Sequence, residues 1–442
     1  MRPQSSSGKV CVVLCSFVLG SSLFLKNAAA EKILSHDGDW TVYSDGRAAA
    51  FVSYVRGDSF PNSAVDASGS LAHDVKGGGM LADASLSATA ATATGTLSQG
   101  TVERVRVRSG MIGNTFGFGV RGPATPYTTV KGYVQIWAWV ESLAQEKNQI
   151  NTADVRQGYV KAEGLWGSLL VGRSRGLYSR GATDIDVLYG HGFGVGFPGL
   201  VDSNGPTQGH IGFGVLGSGF ASQVTYATPV LGGLQLSIGA FDPVHLQGAW
   251  SRTKWPRAEA EMTFERHIAE MGKVVLFGNG AYQNVYKSLR PDSEGTAAKG
   301  FGYGGRLELG PVRLGVAGHY GYGLGLNYAL EVSDASVDPE THLRKFAGYY
   351  VQSMVVLGRV DVSAGWGLTQ VILNPSDNTP DPITGNIPHS VIKSQQGISC
   401  GAVYHVRPWL HVDLDLFRAN FKWSLGEKQV AYIANSGMIF TW

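Results

Sequence analysis

From about residue 39 to the last residue, polar and apolar side chains alternate with a period of two, the spacing of strands whose two faces meet different surroundings. His411, Asp413 and Asp415 fall on one face of such a segment and Val412, Leu414 and Leu416 on the other. Arg104, Arg106 and Arg108 alternate with Val105 and Val107. Arg257, Glu259, Glu261, Thr263, Glu265 and His267 alternate with Ala258, Ala260, Met262, Phe264, Arg266 and Ile268, Arg266 being the one misfit. Ala and Glu favour a helix over that last stretch, but near-strict alternation over about twelve residues favours a strand.

The pattern predicts sixteen strands, over 39–55, 102–121, 127–143, 153–164, 168–176, 219–228, 233–242, 256–268, 273–287, 298–310, 312–325, 344–358, 360–373, 391–406, 409–423 and 430–442. Tight turns such as Gly164-Leu165-Trp166-Gly167, Leu231-Gly232-Gly233, Glu270-Met271-Gly272-Lys273 and Gly310-Pro311 largely alternate with long connections near 56–101, 177–218, 288–297, 326–343 and 374–390. The fold class expected is all-β, an antiparallel up-and-down transmembrane barrel of about sixteen strands. A large soluble barrel or sandwich shares the alternation. Against it stand the Arg, Glu, Asp, Gln and His that crowd one face, which a wide, water-filled interior accommodates. Aromatic residues near strand ends (Trp40, Tyr43, Trp137, Trp139, Tyr349, Tyr350, Trp409, Phe421, Trp423) suit interfacial girdles.

Composition sharpens the picture. With 43% hydrophobic residues, 61 Gly and a net charge of +2, the chain is neither disordered nor a nucleic-acid binder. After the first thirty residues no run of roughly 18 apolar residues could form a membrane helix. Arg2 and Lys9 precede an apolar run from Val10 to Leu25, then Ala28-Ala29-Ala30 and Glu31, which reads as a signal peptide over 1–30 followed by a barrel domain over 31–442. Cleavage removes Cys11 and Cys15, so Cys400 has no partner and the exported chain must hold together without internal disulfides.

Three segments resemble the Gram-negative general porins. Thr115-Phe116-Gly117-Phe118-Gly119-Val120-Arg121-Gly122 is similar to their early "S-R-F-G-F-K-G" strand. The segment from Arg156-Gln157-Gly158-Tyr159-Val160-Lys161 to Leu170-Val171-Gly172-Arg173 resembles their "R-Q-A-Y-V-G-L-K-G-x-F-G-x-L-x-L-G-R" hairpin, and Val224 to Leu234 their "V-R-Y-D-S-P-x-F-G-G-F". Met438, Phe440 and Trp442 resemble the alternating, aromatic-terminated signal read by the outer-membrane assembly machinery, although the family usually ends in Phe. The resemblance implies a homotrimeric channel in the outer membrane, embedded in its lipid, through which small hydrophilic solutes and ions diffuse passively. It also implies a third loop folded into the barrel, here over 176–218, whose acids (Asp184, Asp186, Asp202) face basic wall residues. The candidates for that wall are Arg47, Arg104, Arg106, Arg108, Arg121, Lys131, Arg156 and Arg173.

Other readings carry less. A channel specific for a sugar or an anion differs only in how its bore is lined. Gly194-Val195-Gly196-Phe197-Pro198-Gly199 and Gly212-Phe213-Gly214-Val215-Leu216-Gly217 match G-x-G-x-x-G, yet neither opens a helix in a βαβ unit, as a dinucleotide site demands. No H-E-x-x-H and no Cys/His cluster suggests a metal, no serine stands in a nucleophile context beside His319, His405 or His411, and no cofactor is implied. The Ala/Thr/Gly-rich stretch 77–100 has no assigned role.

Overall fold

The computed structural model describes residues 31–58, 61, 101–110, 112–138, 153–188, 209–246, 250–268, 272–330, 336–338, 342–379 and 390–442, apart from the side chains of 101, 102, 104, 106, 108, 153 and 378. The signal-peptide reading of 1–30 and the stretch 77–100 lie outside them. Strands dominate: β1 (Lys32–Asp37), β2 (Trp40–Asp58), β3 (Thr101–Arg108), β4 (Asn114–Arg121), β5 (Thr129–Ala138), β6 (Ala153–Gly164), β7 (Gly167–Arg175), β8 (Phe220–Ala227) and β9 (Leu234–Phe241). The chain continues through β10 (Arg257–Ile268), β11 (Gly272–Tyr286), β12 (Gly295–Leu309), β13 (Val312–Tyr322), β14 (Lys345–Leu357), β15 (Val360–Ile372), β16 (Ile392–Arg407), β17 (Leu410–Trp423) and β18 (Lys428–Thr441). A helix of two turns at most, α1 (Arg180–Ile185), lies between β7 and β8.

All pairings between strands are antiparallel, and β18 closes the sheet on β2, from Thr441↔Arg47 to Ala431↔Gly57. Closure is what allows strands to sit in lipid, since every backbone N–H and C=O then finds a partner within the wall. Two of the eighteen strands do not add staves. β3 and β4 both pair with β2 and make one stave broken at 109–113, where Gly110 and Gly113 adopt φ of 80° and 68°. Asn114 Oδ1 bridges the break by accepting from Ala49 N–H at 2.7 Å. β1 is a short hairpin arm on β2, in line with β18 beyond Trp442. Eighteen less these two leaves the sixteen-stave barrel that the alternation predicts, including β10 as a strand; the arm and the break are what it did not show.

Connections of two to seven residues (122–128, 165–166, 228–233, 269–271, 310–311, 358–359, 408–409) share one end of the barrel with Glu31 and the C-terminal Trp442. The opposite end carries the longer connections, among them 59–100, 139–152, 176–219, 323–344 and 373–391; only 424–427 is short there. Along the staves most outward residues are apolar and exposed, as with Val52, Phe118, Val160, Val224, Leu276, Val316, Val351 and Leu414. Polar residues turn inward and are buried, as with Ser53, Gln223, Thr225, Glu259, Glu261, Asn279, Gln352, Asp413 and Asp415. This is the polarity of a membrane barrel and the inverse of a soluble one.

Of the aromatic residues expected in girdles, Trp40, Tyr349 and Trp409 are exposed. Tyr43, Trp137, Tyr350, Phe421 and Trp423 are buried and point inward, and Trp139 lies outside the described residues. The exposed aromatics Trp166 with Tyr226, and Trp409 with Phe440, pair at the turn end instead.

Candidate functional site

The longest described connection with structure of its own runs from β7 to β8 and is fastened to inward-facing side chains of far staves. Glu259 of β10 accepts the backbone N–H groups of Leu177 (2.7 Å) and Tyr178 (2.9 Å) and pairs with Arg257 at 2.7 Å. Glu261 holds Arg180 at the start of α1. On β14, Tyr350 donates its hydroxyl to Ala182 C=O at 2.9 Å, while Gln352 caps the Ile185 carbonyl and accepts from Val187 N–H. Further along, Gly214 N–H donates to Thr369 of β15 at 2.9 Å, Gln395 of β16 donates to Gly212 C=O, and Phe213 packs edge-on against Phe417 of β17.

The second glycine-rich motif has its explanation here. A Cβ on Gly212 or Gly214 would come within 2.2 Å of Asn327 or 2.4 Å of the Tyr349 carbonyl, and both residues have positive φ, 83° and 107°. Close approach to the 323–344 connection and to the wall, not phosphate binding, requires these glycines. The first motif, 194–199, lies outside the described residues.

The basic candidates divide by place. Arg47 is buried on the inward face of β2. Arg104, Arg106 and Arg108 are in register with Val55, Ser53 and Phe51, the inward set of β2. Arg156, at the loop end, pairs with Asp154 at 2.9 Å and lies over the Trp137 ring. Two expectations need correction because these residues sit at the other mouth: Arg121 ends β4 at the turn end, pairs with Glu31 at 2.7 Å and covers Tyr43, and Lys131 opposite it stands beside Lys161. Arg173 is corrected as well. It is in register with Ser222, which belongs with Val224 and Tyr226 to the exposed set of β8, so strand parity puts it on the outer face.

The acids differ from expectation in a telling way. Asp184 is bound by Arg175 at 2.8 Å, so its charge is neutralised within the loop root. Asp186 does not face a basic wall: it is 4% exposed and accepts from the N–H groups of Leu188 (3.0 Å) and His210 (2.7 Å) as well as touching His210 Nδ1 at 3.1 Å. Asp202 lies outside the described residues.

Asp186, His210 and Ser399 stand in the order carboxylate, imidazole, hydroxyl, with His210 Nε2 3.4 Å from Ser399 Oγ. That order serves acyl transfer only where a substrate can reach the hydroxyl. Here His210 is fully buried and stacked on Tyr350 at 4.8 Å, and Ser399 is buried and within reach of the Gly365 carbonyl. The chain of contacts clasps the connection to β16. Sequence reasoning missed this clasp and the Glu259 and Glu261 anchors, although the charged face of β10 was visible in its alternation.

A second tie joins the connections 323–344 and 373–391. Arg344 and Asp377 form a fully buried ion pair, and Asp338 accepts from Ser376 Oγ (2.7 Å), Asn374 Nδ2 (2.9 Å) and His342 N–H (2.7 Å). Burial opposes ionisation of Asp338, but these hydrogen bonds outweigh it and hold its pKa below the ordinary 3.8. A depressed carboxylate contributes stability above its unfolded pKa and loses it as pH falls through the folded one. Amide protection at His342 should therefore persist down to about pH 4 and fall below it. Asp338→Asn should weaken protection at neutral pH and flatten that dependence in a hydrogen-exchange series.

Among the described residues, no group of three or more His, Cys, Asp or Glu is arranged to hold a metal ion. No family model matches the sequence, and no curated protein matches it. The structure does have relatives in shape. It is similar to the outer membrane channel DcaP of Acinetobacter baumannii, with a TM-score of 0.59, 14% identity and coverage of 93% of this chain and 100% of that one. It is similar to an anion-selective porin from Comamonas acidovorans (TM-score 0.56, 13% identity, 91% and 100% covered). It is also similar to Salmonella typhi OmpF in complex with daunomycin (TM-score 0.52, 11% identity, 92% and 99% covered). The fold is that of the outer-membrane porins.

Proposed function

We propose that the chain is an outer-membrane porin, a homotrimer of water-filled channels through which small hydrophilic solutes and ions diffuse passively, without cofactor or catalysis. The observation that carries this reading is the β7–β8 connection fastened to the inward faces of β10, β14, β15, β16 and β17. Such a connection narrows the bore and leaves the passage beside the opposite wall, β2 to β6. The apolar outer faces place the barrel in lipid, and the porin fold supports the same reading.

The register relates the loop to the arginine triplet. Ser399, where the loop is clasped, shares one cross-strand row with Phe417, Ile433, Val55 and Arg104. Four steps between neighbouring strands put Arg104 roughly 19 Å along the wall from the clasp. Because Arg175 pairs with Asp184 and Asp186 is buried against His210, the described part of the loop turns little negative charge to the passage, and the triplet makes the narrow region positive. Local charge decides selectivity, since about 8 Å of Debye length at physiological salt screens the distant residues. The passage should prefer anions weakly.

Replacing Arg104, Arg106 and Arg108 together by Ser tests this in planar bilayers. The reversal potential in a tenfold salt gradient should move towards cations by about 10 mV or more, of the 59 mV or so available to a perfectly selective pore. Conductance for bulkier solutes should rise. If neither changes while the protein still inserts, the triplet does not line the passage.

A further inference from the structure

Near the turn-end mouth, His405 of β16 and His411 of β17 are directly opposite one another in the sheet, on the inward face. Their rings lie 4.8 Å apart, nearly perpendicular, with the two Nδ1 atoms 2.8 Å from each other. Asp361, on the adjoining strand β15, contacts the other nitrogen of His405, Nε2, at 3.0 Å. The His405 backbone N–H is itself bound to the Arg359 carbonyl at 2.8 Å. We propose that His405 and His411 chelate a divalent transition-metal ion of the imidazole-seeking class, with Cu2+ the strongest occupant and Zn2+ a weaker one.

Nε2–H of His405 donates a hydrogen bond to the Asp361 carboxylate, so the lone pair of that ring is on Nδ1 and points at His411. One nitrogen from each ring therefore addresses a single point between two strands. Without an ion, the His411 Nδ1–H fills that point; when the His411 proton moves to Nε2, both Nδ1 lone pairs are presented to a cation. Two imidazole nitrogens about 2.0–2.1 Å from a tetrahedral ion stand about 3.3 Å apart, so Zn2+ needs the rings to open by roughly 0.5 Å, whereas cis nitrogens on a tetragonal Cu2+ stand about 2.8–2.9 Å apart, the spacing already present.

Asp361 supplies the carboxylate behind a ligating imidazole, which fixes its tautomer and ring orientation. Among the described residues two side-chain ligands converge, so water completes the coordination and exchange is fast, which suits a reversible site in a lumen rather than a structural ion. Imidazole ligation follows the order in which Cu2+ exceeds its neighbours and Zn2+. Access comes from the mouth: the His405 side chain is 26% exposed, more than its Asp361 partner at 12%. A hydrogen bond between two histidines is not needed to join β16 to β17, which are already paired along their length.

The test uses the refolded full-length chain in detergent, titrated with Cu2+ up to one equivalent. Electron paramagnetic resonance of the wild type should show two nitrogen ligands, and calorimetry one Cu2+ per chain. His405→Ala and His411→Ala should each weaken binding at least tenfold, and Asp361→Asn by about 10–100-fold. Cu2+ added on the side of the short turns should lower single-channel conductance in the wild type and not in the two histidine variants. A wild-type spectrum with fewer than two nitrogens overturns the proposal, and needs no variant to fold. So does Cu2+ affinity unchanged in both histidine variants.

Discussion

Deletion of Phe440–Trp442 should abolish the folded barrel, reducing its yield to less than about a tenth of the wild type, as read from heat-modifiable gel mobility and protease resistance. The seam depends on these residues. Trp442 and Gly46 exchange both backbone hydrogen bonds, at 3.0 and 3.1 Å, and Thr441 and Phe440 stand in register with Arg47 and Ala48. The Trp442 indole covers Gly46, donates to Ser44 Oγ at 3.2 Å and packs on Phe116 and Phe440. Deletion would leave backbone groups of β2 unpaired in hydrocarbon, where each costs several kcal/mol. Met438 and Phe440 face outward and are exposed, so the end of β18 also presents the alternating apolar surface proposed above as an assembly signal. Replacing Trp442 by Phe keeps the backbone pairs and an aromatic cover, and should assemble. Normal yield from the deletion would show that the seam closes without its last pairs.

Glu259→Ala should widen the passage, raising single-channel conductance by roughly twofold and admitting larger sugars in liposome-swelling assays, while the barrel stays assembled. Its carboxylate is buried and holds two backbone N–H groups at the root of the β7–β8 connection together with Arg257. Removing one partner of such a buried group leaves the others uncompensated, at about 3–5 kcal/mol. That is enough to release the loop root and too little to open sixteen staves held by continuous ladders. Asp186→Ala should act in the same direction through the His210 clasp, with a smaller effect because the Glu259 foothold remains. Unchanged conductance in a folded Glu259→Ala protein would mean that this connection does not limit the bore, and it would remove the main support for the proposed function.

Alternation was enough to place all sixteen staves because each residue between lipid and a polar interior is forced onto one of two faces, and the forcing repeats every second position. The same rule located the seam at 430–442 and made β10 a strand despite its helix-favouring Ala and Glu. It missed the arm Lys32–Asp37, which lies beyond the staves, and the break at 109–113, across which the outward set changes from Val105 and Val107 to Phe116, Phe118 and Val120. Parity along one strand also says nothing of which neighbour it meets. Arg173, expected on the wall, shares the outward face of Leu169 and Val171 on its own strand, and Tyr43, Tyr350, Phe421 and Trp423, expected in girdles, point inward.

The site was less legible than the wall, since its contacts join residues far apart in the chain. Asp186 meets His210 and Ser399, and Leu177 meets Glu259, only because the sheet curls round and brings β10 and β16 to face a loop that leaves β7. The sequence by itself determined the staves, their two faces and the closing strand, all of which follow from local periodicity in a two-phase solvent. Tertiary structure alone decided which charges are already paired, and therefore which remain to face the passage. Pairing depends on distances across the lumen, and these exist only once the barrel has closed.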